Sequence, residues 1–346
     1  MDRYPLTPDY SISRLIHGGW QFSAGHRLSG PELDDAIDVL VASAELGVTT
    51  FDCADIYTGV EELYGRFLRR WRSTSSAAEI QIHTKFVPDA VDLPNVDRAY
   101  VRRIVERSLR RLGVERLDLV QFYWWRDEVP GMEQTAVWLA ELRDEGKIRH
   151  LAATNLDVAR LRRIADAGVR LVSNQVQYSL LDRRPSSELA AYGAGNGVRI
   201  IAFGALAGGF LTGKWAGTRD PGTLANRSLV KYRLIIDEFG GWAAYQRLLD
   251  EVCAIADERG VDPAAVAARF VLDQPNVAAV ITGATRLGQM SRNIGALRLR
   301  LTDHDRRRIG VLLERAPGPS GDVFGLERDR NGPHGRIMKY DLNRDE

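Results

Sequence analysis

Several polar side chains in this sequence stand at the ends of apolar, strand-like stretches. Asp52, Asp55 and Tyr57 follow one such stretch, and Lys85 ends the next. A phenol is a weak proton donor at neutral pH, but an adjacent ammonium lowers its pKa, and a carboxylate keeps that ammonium charged and in place. We therefore expect Tyr57 to act as a general acid tuned by Lys85 and Asp52. Such a donor suits a carbonyl oxygen that gains negative charge as hydride reaches its carbon.

A second group of side chains could hold a flat ring that carries a carboxamide. Thr154, Asn155 and Gln175 offer hydrogen-bond donors and acceptors for an amide, and Phe203 offers a flat face for stacking. A carboxamide on a flat ring describes nicotinamide. Near the end of the chain, GATRLGQMSRN places small residues and Arg286 at the start of a predicted helix, where backbone N–H groups and a guanidinium could hold a phosphate.

These groups need elements that bring them together. Eight β-rich stretches alternate with amphipathic helical stretches, and they cover residues 13–20, 48–55, 80–86, 117–124, 148–155, 170–177, 198–206 and 277–284. Strand followed by helix, repeated without a linker or a change of composition, predicts a single (β/α)8 TIM barrel domain over residues 1–346. A doubly wound parallel sheet is the competing architecture.

The chemistry of such a barrel collects where its strands end. Polar groups at the ends of apolar strands are costly unless they have partners, so their recurrence at the same end predicts a shared site. In strand order, the predicted strand ends present Trp20; Asp52 with Asp55 and Tyr57; Lys85; Tyr123; Thr154 with Asn155; Gln175; Phe203; and Gly283 with Thr285 and Arg286.

Composition argues against several other classes of protein. A net charge of +1 gives no electrostatic case for nucleic acid or an anionic membrane. Cys53 and Cys253 show no metal-binding or disulfide spacing, and the histidines show no metal-binding spacing. The N-terminus lacks the apolar run of a signal peptide, and no run of about 18 apolar residues exists to span a membrane. We expect a cytoplasmic protein without a metal centre that acts on a small molecule.

The sequence resembles the aldo-keto reductases. Six separated motifs carry the resemblance, in the order and spacing of that family: FDCADIYTGVEELYG, HTKF, GKIRHLAATN, SNQVQYSLLDR, AFGALAGGFLTGKW and VITGATRLGQMSRN. The resemblance covers nearly the whole chain. It implies a (β/α)8 barrel that binds NADP(H) in an extended pose and reduces an aldehyde or ketone with hydride from the nicotinamide.

The resemblance also implies roles for individual residues. Asp52, Tyr57 and Lys85 match three of the family's four catalytic positions, and Arg286 favours NADP(H) over NAD(H). Together with Trp20 and Asp52, the cofactor-binding positions that it implies are Thr154 in place of the usual serine, Asn155, Gln175, Phe203, Leu206, Gly208, Lys214, Gly283, Thr285, Arg286, Gln289 and Asn293.

One catalytic position departs from the family. Tyr123 stands where the family has a histidine that holds and polarises the substrate carbonyl. We expect Tyr123 to be a second hydrogen-bond donor in a substrate pocket formed with Trp20, Tyr57 and Trp124. Two alternatives remain open: Tyr123 could fill the substrate space in an NADP(H)-binding protein that acts through partners, or the barrel could catalyse an unusual redox or redox-neutral reaction.

Two stretches lie outside the strand–helix alternation. Residues 215–241 follow the seventh strand and are expected to form either a flap over the cofactor, with Arg227 and Lys231 as phosphate contacts, or a plain surface loop. The barrel is expected to cover about residues 10–315, followed by a tail over about 316–346. Apolar residues in this tail predict that it docks across the barrel mouth and helps to select the substrate.

Overall fold

The computed structural model describes residues 2–23, 31–74, 78–224 and 226–343. Its strands are β1 (Arg3–Thr7), β2 (Tyr10–Ser13), β3 (Leu15–Gly18), β4 (Thr50–Asp52), β5 (Gln81–Phe86), β6 (Leu117–Phe122), β7 (Ile148–Thr154), β8 (Ser173–Gln177), β9 (Arg199–Phe203) and β10 (Val277–Gly283). Strands β3 to β10 are parallel and form a closed barrel in which β10 pairs with β3. Because a doubly wound sheet has two open edges, the closed barrel confirms the predicted (β/α)8 fold.

Most of the helices surround the barrel on the outside, and the others lie at its open end or in the C-terminal tail. Their bounds are α1 (Pro31–Glu45), α2 (Val60–Arg72), α3 (Arg98–Leu112), α4 (Met132–Asp144), α5 (Val158–Asp166), α6 (Glu188–Asn196), α7 (Arg227–Glu238), α8 (Gly241–Arg259), α9 (Pro263–Leu272), α10 (Gln289–Asn293), α11 (Gly295–Arg298), α12 (Asp303–Arg315), α13 (Gly325–Arg328) and α14 (Pro333–Arg336). Capping residues determine where several of these helices begin and end. Helix α3, for example, begins after Asp97, whose side chain accepts from Tyr100 N, and ends at Gly113 with a φ of 66°.

An N-terminal hairpin, which was not predicted, closes the bottom of the barrel. Strands β1 and β2 pair antiparallel. Leu6, Tyr10 and Ile12 from this hairpin pack against barrel residues such as Leu119. With the N-terminal end plugged, the open end is the one where the strands finish, and the predicted site residues collect there.

The segment after β9 is more ordered than a plain surface loop. After a short 3-10 turn at Gly213–Trp215, it forms α7, which begins where the Asn226 side chain accepts from Leu229 N. Tyr232 of α7 packs so closely on Gly208 that a Cβ there would lie 2.6 Å from the Tyr232 ring. Since Gly208 has a φ of 64°, glycine suits this position on both counts. Helix α7 therefore forms one wall of the barrel mouth.

The C-terminal tail packs across the same end of the barrel. The Arg184 guanidinium lies buried between Asp182 at 2.7 Å and Glu327 of α13 at 3.1 Å. Further along, the Tyr340 ring lies 5.0 Å from the ring of Trp125. The tail is thus held by buried ion pairs and aromatic contacts. Among the described helices, none combines the length and apolarity needed to cross a membrane.

Candidate active site

A cavity of about 950 Å³ opens at the C-terminal ends of the barrel strands. Residues from the strand ends, α7, α10 and the tail line it. The predicted site residues that line this cavity are Trp20, Asp52, Tyr57, Lys85, Tyr123, Thr154, Asn155, Gln175, Phe203, Leu206, Gly208, Lys214, Gly283, Thr285, Gln289 and Asn293. Two predicted residues, Trp124 and Arg286, do not line it.

Asp52 is the centre of a buried hydrogen-bond network. Lys85 Nζ donates to Asp52 Oδ2 over 2.8 Å and to the Cys53 carbonyl over 2.7 Å. The other carboxylate oxygen, Oδ1, accepts from the amides of Gln121 at 2.8 Å and Gln175 at 2.6 Å. Gln121 was not predicted as a site residue, although a fully buried amide in an apolar strand is the signal that finds it. This network fixes the position of the Lys85 ammonium.

The Tyr57 ring lies beside that ammonium. Lys85 Nζ is 5.1 Å from the centre of the ring, and the Trp20 ring approaches Tyr57 edge-on at 4.9 Å. Burial raises the pKa of Tyr57 above its ordinary value, and Lys85 offsets this rise only in part. Lys85 thus lowers this pKa, as expected, but burial has the larger effect. Burial also opposes the charge on Lys85, but Asp52 and Tyr57 more than compensate, so the Lys85 pKa is raised. At neutral pH Tyr57 thus keeps its proton beside a charged ammonium.

The residues expected to bind the carboxamide lie on neighbouring strand ends. Thr154 Oγ1 donates to the Gln175 carbonyl over 3.1 Å, and the backbone N–H of Asn155 donates to the same carbonyl over 2.8 Å. Asn155 has a φ of 55°, and its side-chain Oδ1 is buried without a hydrogen-bond partner among the described residues. An unsatisfied acceptor in a cavity that also contains the Phe203 ring fits the N–H group of a carboxamide on a flat ring. The residues present therefore fit a nicotinamide.

The segment after β10 does not place Arg286 in the cavity, where it was expected. The backbone N–H groups of Thr285 and Arg286 donate to Gln289 Oε1 at 2.7 and 3.0 Å, so they are already satisfied. The Arg286 side chain is exposed after the turn that follows β10 and lies outside the cavity lining. Arg292 of α10, which was not predicted, lines the cavity instead, with its Nε 3.9 Å from Asp262 Oδ2.

The aromatic run after β6 divides between two faces of the barrel. Tyr123 and Trp125 line the cavity, whereas Trp124 is buried on the other side, where its indole N–H donates to the Val129 carbonyl over 3.0 Å. Successive side chains of extended backbone point to opposite faces, so one residue between two cavity residues must point away. The placement of Trp124 in the substrate pocket is therefore wrong, and Trp125 takes that place.

Tyr123 contributes its ring to the cavity and not its hydroxyl. The ring packs edge-on against Trp125 at 4.9 Å and against Phe324 of the tail at 5.8 Å. The hydroxyl oxygen is buried and forms no hydrogen bond of ordinary geometry with the described residues. Burial raises the pKa of Tyr123 to about 12, with the Arg328 guanidinium of the tail opposing the rise. The tail thus covers the Tyr123 hydroxyl, and this burial does not favour the expected role of Tyr123 as a second hydrogen-bond donor to substrate.

Two further cations from α7 line the cavity. Lys231 Nζ lies 4.9 Å from the centre of the Phe203 ring, and the Arg227 guanidinium carbon lies 5.7 Å from the centre of the Trp20 ring. Among the described residues, by contrast, no group of three or more His, Cys, Asp or Glu side chains is arranged to hold a metal ion.

The chain is similar to several known proteins. The model of the Aldo/keto reductase family matches residues 14–314. The chain is 28% identical to an NADH-specific methylglyoxal reductase of Escherichia coli, over 91% of this chain and all of that protein. It is 32% identical to the protein tas of Escherichia coli, over 87% of this chain and 94% of that protein. A glycerol dehydrogenase from Gluconobacter oxydans has a similar structure, with a TM-score of 0.76 and 28% identity over 92% of this chain and 97% of that chain.

Proposed function

Because the chain belongs to the aldo/keto reductase family of oxidoreductases, we propose that it reduces an aldehyde or ketone to the alcohol, with NADP(H) as cofactor. The observation that carries this proposal is the buried pair of Lys85 and Asp52 beside the Tyr57 ring, inside a cavity at the open end of the barrel. A protonated phenol next to a fixed positive charge is a proton donor for an oxygen that becomes negative.

In this proposal, residues that line the cavity would hold each part of the cofactor. Thr154, Asn155 and Gln175 would hold the carboxamide, and Phe203 would stack on the nicotinamide ring. Leu206, Gly208 and Lys214 would contact the pyrophosphate, and Gly283, Thr285, Gln289 and Asn293 would contact the adenosine phosphate. When bound, the cofactor supplies the hydride that reaches the carbonyl carbon.

The side chains of this protein then supply the proton. Tyr57 donates its phenolic proton to the carbonyl oxygen, which completes the alcohol, and later regains a proton from solvent. The Lys85 ammonium stabilises the phenolate that Tyr57 becomes. Asp52 keeps Lys85 charged, while Gln121 and Gln175 hold the Asp52 carboxylate in place.

Tyr123 forms part of the substrate pocket wall in this proposal. Since its hydroxyl is buried under the tail, Tyr57 is the proton donor, and the Tyr123 ring limits the width of the pocket. Trp20, Trp125 and Phe324 add further apolar surface. The tail thereby helps to determine which carbonyl compounds fit.

The preference for NADP(H) over NAD(H) is proposed from the cations at the adenosine end. Arg292 lines the cavity there, and exposed Arg286 lies nearby in sequence. Kd values for NADPH and NADH, measured by quenching of tryptophan fluorescence, test this preference. We expect tighter binding of NADPH, and we expect Arg292→Ala to weaken NADPH binding about tenfold while leaving NADH binding nearly unchanged. Equal affinity of the natural protein for both cofactors would remove the preference from the proposal.

Turnover tests the reaction itself. NADPH oxidation is followed by absorbance with a panel of aldehydes and ketones, and the product alcohol is identified by mass spectrometry. We expect stoichiometric formation of alcohol with at least one class of carbonyl compound. Tight NADPH binding without turnover of any carbonyl compound would favour a cofactor-binding protein that has left carbonyl reduction.

A further inference from the structure

The cavity wall is much more positive than the chain as a whole. The described residues that line it include six basic side chains (Lys85, Lys214, Arg227, Lys231, Arg292 and Lys339) but only two acidic ones (Asp52 and Asp262). The net charge of the whole protein is only +1. Positive charge is thus concentrated where cofactor and substrate would bind, and such a cavity attracts anions.

Two of these cations have carboxylate partners. Lys85 pairs with Asp52, and Arg292 lies 3.9 Å from Asp262. Among the described residues, Arg227 and Lys231 have neither an ion pair nor a hydrogen bond from their side chains. They are four residues apart on α7, so they lie on the same face of that helix, and both line the cavity.

Lys231 lies at the end of the cavity near Tyr123. Its ammonium is 4.9 Å from the centre of the Phe203 ring and 5.8 Å from the centre of the Phe324 ring. Phe324 in turn contacts Tyr123. The ammonium therefore belongs to the part of the cavity wall that Phe203, Phe324 and Tyr123 form.

Burial of a cation without a carboxylate partner costs free energy. Burial lowers the pKa of both Lys231 and Arg227 below their ordinary values. The nearby carboxylates of Glu327 and Asp182 relieve this cost for Lys231 only in part, because both are bound to Arg184, at 3.1 and 2.7 Å. Contacts with aromatic rings compensate for the lost hydration only in part. A ligand that carries a negative charge would satisfy Lys231 directly.

We propose that Lys231, supported by Arg227 one turn earlier on α7, binds an anionic group of the carbonyl substrate. The group is a carboxylate or a phosphate, so the substrates are aldehydes or ketones that carry a negative charge. This inference rests on the proposed carbonyl reduction and specifies its substrate class. Arg227, over the Trp20 ring that contacts Tyr57, adds positive potential close to the reacting carbonyl.

The test compares matched neutral and charged substrates. Butanal is compared with succinic semialdehyde, and glyceraldehyde with glyceraldehyde 3-phosphate, so that carboxylate and phosphate are distinguished. The variants are Lys231→Met, which removes the charge but keeps an unbranched side chain, and Lys231→Arg, which keeps the charge. The matched control is Arg233→Gln on the same helix, because Arg233 is outside the cavity lining and pairs with Asp220 and Asp237.

We expect the natural protein to prefer one charged substrate over its neutral counterpart. Lys231→Met should raise KM for that substrate about tenfold or more, whereas KM for the neutral aldehyde and Kd for NADPH should change little. Lys231→Arg should restore much of the preference, and Arg233→Gln should keep it. Equal loss with charged and neutral substrates, or no preference in the natural protein, would overturn the anion site while leaving carbonyl reduction in place.

A binding measurement separates the two proposals. Succinate and inorganic phosphate are titrated calorimetrically into the NADPH complex of the natural protein and of Lys231→Met, so that the cofactor's own phosphate sites are already filled. Saturable binding of one of these anions that Lys231→Met abolishes supports the anion site even if no carbonyl compound is turned over. Absence of binding to the natural protein, or binding that Lys231→Met leaves unchanged, contradicts it.

Discussion

Lys85 Nζ lies 2.8 Å from Asp52 Oδ2, and both side chains are almost fully buried. The same ammonium lies 5.1 Å from the centre of the Tyr57 ring. A buried charge pair contributes little to stability compared with apolar residues of the same volume, but loss of one partner is severe. The pair is therefore best explained by what the ammonium does for Tyr57.

Separate effects on activity and stability follow from this pair. We expect Lys85→Met to lower kcat/KM by about 10²- to 10⁴-fold, because Tyr57 loses the charge that stabilises its phenolate. The same variant should lose about 3 to 5 kcal/mol of unfolding free energy, since Asp52 remains buried without its partner. In the double variant Lys85→Met/Asp52→Asn, urea unfolding should show much of the stability restored while kinetics show no recovery of activity. Recovery of both together would mean that the pair is only structural.

Removal of the Tyr123 hydroxyl should have little effect. This oxygen is buried and forms no hydrogen bond of ordinary geometry with the described residues, so Tyr123→Phe should leave stability nearly unchanged and kcat/KM within about threefold of the natural value. Steady-state kinetics and urea unfolding measure the two quantities. A hundredfold fall in kcat/KM with unchanged NADPH affinity would instead place this hydroxyl in the chemistry.

The buried carboxyl group of Asp55 should make stability depend on pH. Burial, together with nearby Glu61, raises the pKa of Asp55 to about 7, although the Val87 N–H and Arg107 oppose this rise. Between about pH 4 and 7 the folded chain therefore holds a proton that the unfolded chain has lost. The contribution of Asp55 to stability falls as the pH rises through that window.

Asp55→Asn tests this dependence, because asparagine keeps an acceptor for Val87 and does not titrate. We expect its advantage in unfolding free energy over the natural protein to grow between pH 5 and pH 8, by up to about 3 kcal/mol. Urea unfolding at the two pH values measures the change, with exposed Glu128→Gln as control. An advantage of Asp55→Asn that is the same at both pH values would contradict the raised pKa.

The tail should select substrates by size through Phe324. This side chain lines the cavity and contacts Tyr123, so Phe324→Ala should widen the pocket. We expect kcat/KM for a bulky aldehyde such as 2-phenylpropanal to rise relative to propanal by about tenfold, comparable to the contribution of a few methylene groups. Val323→Ala, which removes a buried neighbour that does not line the cavity, is the matched control. If both variants shift the ratio of the two kcat/KM values equally, the shift comes from general destabilisation of the tail and not from a wider pocket.

The barrel was predictable because its signal is periodic and repeated. Each strand is a short apolar run, each helix has its own ends, and Asp52 and Lys85 could be placed at strand ends by position alone. The residues that were misplaced depend on loop geometry. Arg292 instead of Arg286 faces the cavity because of the turn after β10, and Trp124 points away because of a single step in side-chain alternation.

Other features depend on contacts between parts of the chain that are distant in sequence. Gln121 belongs to the site only because Asp52 lies on a strand two positions away in the barrel. The Tyr123 hydroxyl is covered by a tail residue some 200 positions later in the chain, so no local pattern indicates its burial. The position of α7 as one wall of the barrel mouth likewise follows from tertiary packing. The same is true of the unpaired charge of Lys231.

The single substitution Tyr57→Phe tests the proposed mechanism most directly, because it removes the hydroxyl group that donates the proton and little else. NADPH affinity is measured first by fluorescence, and NADPH oxidation is then followed with the best carbonyl substrate of the natural protein. We expect Tyr57→Phe to bind NADPH with nearly natural affinity and to lose turnover by about 10²-fold or more. Turnover of Tyr57→Phe within a few-fold of the natural rate would contradict this mechanism, because the proton would then come from another group.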